Sequence, residues 1–156
     1  MVRGLAKFRE QFRSHAGQYV IIGGTACDLL MGEAGLDEAY YSFLQTGKRI
    51  VEDIPVVGPE YLIPLKARAW IDLKKRKEAG TAIDAKSIAK HKNDVFRLYR
   101  LVDPAFKTDI PKNIRDDMGA FLEAMGSESV DLKNLGIKDR SLNSILDELR
   151  RIYVPI

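Results

Sequence analysis

Tyr19-Val20-Ile21-Ile22-Gly23-Gly24-Thr25 carries a β-branched run into a glycine pair and then a threonine. The apolar run reads as a short strand buried on both faces, closed by a tight turn at the glycines. Thr25 is placed to cap a following helix, with Asp28 three positions on as the acidic half of a capping box. Leu29, Leu30 and Met31 give that helix its apolar content. Upstream, Leu5, Phe8 and Phe12 recur at helical spacing among basic residues, predicting an amphipathic helix over about the first fifteen residues that Gly17 stops.

Downstream, Tyr40 to Gln45 and Lys48 to Val57 are rich in aromatic and β-branched residues and flank Thr46-Gly47, as expected of a hairpin. Pro55 makes the second strand an edge or ends it early. Gly58-Pro59-Glu60 starts a helix toward Lys77, with Pro64 predicting a tight or kinked first turn. Asp84 caps the next helix, which carries Ile88, His91, Val95, Leu98 and Val102 on one face and ends by Pro104. Pro111 to Gly126 and Ser141 onward bound two more apolar-striped helices. The order is α+β within one domain: a small sheet of about three strands with N-terminal helices over residues 1–57, then a mainly helical half over 58–156.

Composition narrows the function classes. With 46% hydrophobic and 30% charged residues, the chain is expected to fold as an ordinary globular domain. No apolar run approaches the roughly 20 residues that cross a bilayer, and the first residues lack a hydrophobic signal core, so the expectation is a cytoplasmic protein with no membrane partner. Cys27 is the lone cysteine, and with His15 and His91 it makes no zinc-binding spacing. The net charge is +3, yet Leu62 to Arg115 holds 14 Lys/Arg against 6 Asp/Glu. That surplus either attracts phosphate-bearing partners or forms solvated helix faces.

The Gly23-Gly24-Thr25 turn between strand and helix resembles the first motif of the nucleotidyltransferase superfamily, where glycines let the backbone approach nucleotide phosphates. Pro59-Glu60-Tyr61-Leu62-Ile63-Pro64-Leu65-Lys66-Ala67-Arg68-Ala69 resembles the downstream helix of AbiEii/AbiGii toxin-type proteins, with Lys66 as the motif lysine. Lys90-His91-Lys92-Asn93-Asp94-Val95-Phe96-Arg97-Leu98 is similar to the basic helix that bears that family's functional aspartate, here Asp94. The resemblance spans Tyr19 to Gly35 and Tyr40 to about Val102. It implies Gly23, Gly24, Thr25 and Lys66 at nucleotide phosphates, Asp94 at the family's catalytic position, and magnesium held by two carboxylates at i and i+2 of a strand.

That paired-carboxylate strand has no match here. Asp37 and Glu38 are adjacent, as are Glu52 and Asp53, and neighbouring strand residues point to opposite faces. In proteins of this type several strands separate the segments that here meet between Gly35 and Tyr40, so an internal deletion explains both the missing carboxylates and the small sheet. The expectation is a nucleotidyltransferase-like protein without catalysis that retains weak NTP or RNA binding. Two alternatives stay open: an interaction module, either a homo-oligomer formed through an open sheet edge or a partner of an antitoxin-like protein, and an active enzyme whose magnesium sits on Asp37, Glu38, Glu52 or Asp53.

Individual residues divide the same way. Lys66 serves a triphosphate or a solvated helix face, and Asp94 orients a reacting group or pairs with Lys90 one turn earlier. His91 reads as a hydrogen-bonded, partly buried imidazole in preference to a catalytic base or metal ligand, and Trp70, Tyr40, Tyr41 and Tyr99 as packing residues in preference to platforms for a base. The run Lys74-Lys75-Arg76-Lys77 complements a helix dipole or follows an RNA backbone.

Overall fold

Asp37 directs the chain into its first well-packed helix. A computed structural model describes residues 5–15 and 37–155. The strand Tyr19–Ile22, the Gly23-Gly24 turn, the helix from Thr25 and Cys27 lie outside the described residues. Helix α1, Leu5–Phe12, runs into a 3-10 turn at Arg13–His15.

Tyr40 to Gln45 is not a strand. It lies within α2, Glu38–Thr46, whose N-cap is Asp37; the Asp37 carboxylate accepts from the backbone N–H groups of Ala39 and Tyr40 at 3.1 and 3.4 Å. The aromatic content that favours β structure is overridden because Tyr40, Phe43 and Leu44 fall at i, i+3 and i+4, where a capped helix buries all three. Gly47 ends the helix.

The hairpin is therefore shorter than expected and turns elsewhere. β1, Lys48–Val51, pairs antiparallel with β2, Ile54–Val57, in a register from Lys48 opposite Val57 to Val51 opposite Ile54. Glu52 and Asp53 form the two-residue turn with φ of 49° and 64°, the left-handed pair that matches strand twist. Pro55 falls on an edge strand, where its missing N–H is tolerated. Among the described residues the sheet has two strands, both drawn from the expected second half of the hairpin; the third expected strand, Tyr19–Ile22, lies outside them.

Four helices follow: α3, Pro59–Glu78; α4, Ala85–Tyr99; α5, Lys112–Met125; and α6, Leu142–Tyr153. Asp84 and Ser141 cap α4 and α6 through their side chains, as their positions predict. Pro64 lies inside α3 without ending it. A short connection through Gly80, at φ 91°, folds α4 back along α3. One apolar cluster unites Tyr40, Phe43, Leu44 and Val57 with residues of all four helices, including Trp70 edge-on to Phe121 at 5.5 Å. The described residues thus form an α+β fold dominated by helices.

Candidate functional site

The α3–α4 pairing brings together the two residues that the family resemblance singles out on these helices. Lys66 Nζ lies 3.5 Å from Asp94 Oδ2, with side chains 13% and 20% exposed. The other oxygen, Asp94 Oδ1, accepts from Arg97 at 3.1 Å. Asp94 therefore pairs with Lys66 and Arg97, in place of the pairing with Lys90 that sequence spacing offered. A half-buried ammonium held by one carboxylate is a compact cation aimed by its neighbour, chemistry that suits an incoming phosphate oxygen.

His91 sits one turn before Asp94 and is 1% exposed. Its Nδ1 is buried without a hydrogen-bond partner. Burial lowers its pKa, Lys66 and Lys90 add to the effect, and Asp94 opposes it. The imidazole is thus a neutral packing group beside the ion pair, more deeply buried than its helix face suggests and without the expected hydrogen bond at Nδ1.

The other predicted site residues are placed differently. Gly23, Gly24 and Thr25 lie outside the described residues. Asp37 is occupied structurally: beyond capping α2, both its oxygens accept from Asn113 Nδ2 at 3.1 Å, and Arg68 lies 3.4 Å away. Glu38 is exposed in the first turn of α2. Glu52 and Asp53 are exposed in the hairpin turn, where Arg9 approaches the Glu52 carboxylate at 4.0 Å. No group of three or more His, Cys, Asp or Glu side chains is placed to hold a metal ion among the described residues.

Sequence reasoning missed three polar clusters, each assembled from distant segments. Asp117 on α5 accepts from Tyr40 and Arg68, both at 2.9 Å, locking α2, α3 and α5 together. Burial, then Asp117, raises the Tyr40 pKa. On α6, Glu148 takes a hydrogen bond from Tyr99 at 2.9 Å and pairs with Arg140, and burial followed by Glu148 pushes Tyr99 up to about 12. Glu128, just after α5, is gripped by Lys74 and Lys92. Helix spacing gives no signal for such pairings.

Trp70 and Tyr40 are buried packing residues, as their positions suggest, whereas Tyr41 is exposed. Set against family models, curated proteins and solved structures, the chain matches none.

Proposed function

We propose that this chain is a nucleotidyltransferase-like protein of the AbiEii/AbiGii toxin type that binds a nucleoside triphosphate but does not transfer it. The observation that supports this reading is the contact between Lys66 and Asp94, two positions named by resemblance alone and joined at 3.5 Å across α3 and α4. In this reading Lys66 contacts the triphosphate, Asp94 aims its ammonium, and Gly23, Gly24 and Thr25 supply backbone N–H groups to the phosphates.

The described residues do not fit a protein-bound magnesium. Asp37 is committed to Asn113, Arg68 and the α2 cap, and Glu52 and Asp53 are neighbours in an exposed turn. In this reading the loss of transfer follows from the missing carboxylate pair.

Two measurements test this reading. Purified protein with magnesium and labelled NTPs should show saturable binding that Lys66→Ala weakens by about tenfold. With total tRNA added, no label should move to RNA. Transfer of label would overturn the non-catalytic part, and absence of binding at millimolar NTP would overturn the nucleotide part.

A second reading has one observation in its favour. Ile50 and Val51 on β1 are 59% and 50% exposed, on a sheet whose edges are unpaired among the described residues. Such an edge suits a homodimer built by strand pairing. Light scattering after size exclusion should then report a dimer that Ile50→Lys dissociates, and a monomer at all concentrations would remove this reading.

A further inference from the structure

Trp70 and Lys74 stand one turn apart on α3, Ile88 and Lys92 about one turn apart on α4, and together they line a cleft of about 370 Å³. That volume is in the range of pockets that take small organic ligands. Glu128, from the turn after α5, closes one side and accepts from Lys74 and Lys92 at 2.8 Å each. Lys92 also donates to the Ser129 carbonyl at 2.8 Å.

An ammonium has three N–H donors. Lys74 therefore keeps two, and Lys92 one, that no protein acceptor takes among the described residues. Lys77 lines the same cleft and meets no carboxylate among the described residues. Two ammoniums around one carboxylate leave a surplus positive charge, to which Lys77 adds, while Glu78 at the rim offsets part of it. Hydrogen bonds from Lys74 and then Lys92 hold the Glu128 carboxyl below its ordinary range, so the cleft already stabilises one oxyanion. Ala85, Ile88 and Ala89 on α4 provide an apolar wall beside these donors, while the buried Trp70 ring forms the floor under Lys74 Nζ at 4.8 Å.

We propose that this cleft binds a small phosphate monoester with an apolar body, of the nucleoside monophosphate class. Its phosphate takes the remaining donors of Lys74 and Lys92 with Lys77, and its apolar body lies along Ala85, Ile88 and Ala89. Lys66 and Asp94 do not line the cleft, so this site stands apart from the nucleotide reading above.

Trp70 is the only tryptophan in the chain and its ring carries Lys74 Nζ at 4.8 Å, so its fluorescence responds to a ligand on Lys74, and the Lys77→Ala variant ties that response to this cleft. The full chain is titrated with adenosine monophosphate, phenyl phosphate and inorganic phosphate. The two organic phosphates should give saturable changes, with inorganic phosphate weaker by about tenfold or more. Glu128→Gln removes the resident anion and should tighten binding by about tenfold. Lys77→Ala should weaken it by about threefold or more at an unchanged urea midpoint, which decides the matter if Glu128→Gln fails to fold.

No saturable change up to about 10 mM in folded protein would overturn the proposal. So would inorganic phosphate binding as tightly as the organic esters, or Lys77→Ala binding like the parent chain. A negative result here leaves NTP binding through Lys66 untouched.

Discussion

Tyr153 donates its hydroxyl hydrogen to the carbonyl oxygen of Glu60 over 2.6 Å, and Glu60 is the residue whose intrahelical donor Pro64 removes. A proline inside a helix leaves the carbonyl four residues earlier without an N–H. Here the last helix supplies a phenol in its stead, which explains how α3 continues through Pro64. Tyr153→Phe should cost about 1–2 kcal/mol by leaving that carbonyl unsatisfied. In a Pro64→Ala background, where Ala supplies the missing N–H, the same substitution should cost markedly less. Urea unfolding of the four proteins in this cycle measures the difference, and equal costs would reject the link.

Gly47 has a φ of −82°, open to any residue, yet a side chain there has no room. A Cβ at this position would overlap the Tyr61 ring, itself packed 4.7 Å from Phe43 and 5.5 Å from Phe106. Gly47→Ala should therefore destabilise by about 1–3 kcal/mol through overpacking. Thermal melts of Gly47→Ala beside the parent chain measure the loss, and an unchanged midpoint would reject the overlap.

His91 predicts an acid-sensitive stability. Its folded pKa lies below the ordinary 6.5, because burial and then Lys66 disfavour the imidazolium while Asp94 favours it. Above that value both folded and unfolded states carry a neutral ring, and this residue contributes no slope. As pH falls below 6.5 the unfolded chain takes up the proton first, so stability declines until the folded pKa is passed. Urea midpoints from pH 7 to about 5 should fall in the parent chain, and His91→Leu should flatten the part due to this residue.

Glu148 is a buried carboxylate neutralised by Arg140 and hydrogen-bonded by Tyr99. Arg140→Ala strands that charge, whereas Glu148→Gln removes it and keeps an acceptor for Tyr99. The first should lower the urea midpoint more than the second, since removing one partner of a buried pair costs more than neutralising the charge. The opposite order would show that Arg140 contributes little to the folded state.

The helical half was legible because its signals are local. Asp84, Pro111, Gly126 and Ser141 mark ends, and apolar residues at helical spacing mark buried faces, so α3 to α6 appear near where the spacing places them, although α4 stops at Tyr99, short of Val102 on its expected face. The segment after Asp37 was misread because Tyr40, Tyr41 and Phe43 weigh toward a strand. The correcting signal was present: Asp37 before Tyr40, Phe43 and Leu44 is a cap followed by a helical stripe. Reading Asp37 and Glu38 only as metal candidates hid it. The hairpin turn was misplaced because Thr46-Gly47 looks more turn-like than Glu52-Asp53, and glutamate seldom adopts positive φ. Lys66 and Asp94 were named by resemblance, but their contact with each other depends on how α4 folds back along α3, and no spacing within either helix encodes that.

Helix α3 is moored on several sides: to α6 through Glu60, α4 through Lys66, α5 through Arg68 and Trp70, and the turn after α5 through Lys74. At helical pitch these five positions spread over more than half of its circumference. Mechanically it is a stayed mast. Torque about its axis strains several stays at once, so twisting is resisted. The compliant direction is a tilt at Pro64, where one rung of the ladder is absent and a single phenol spans the gap. A load applied near Lys74 would therefore carry Lys66 with it as one rigid arm, since both lie on the same side of Pro64.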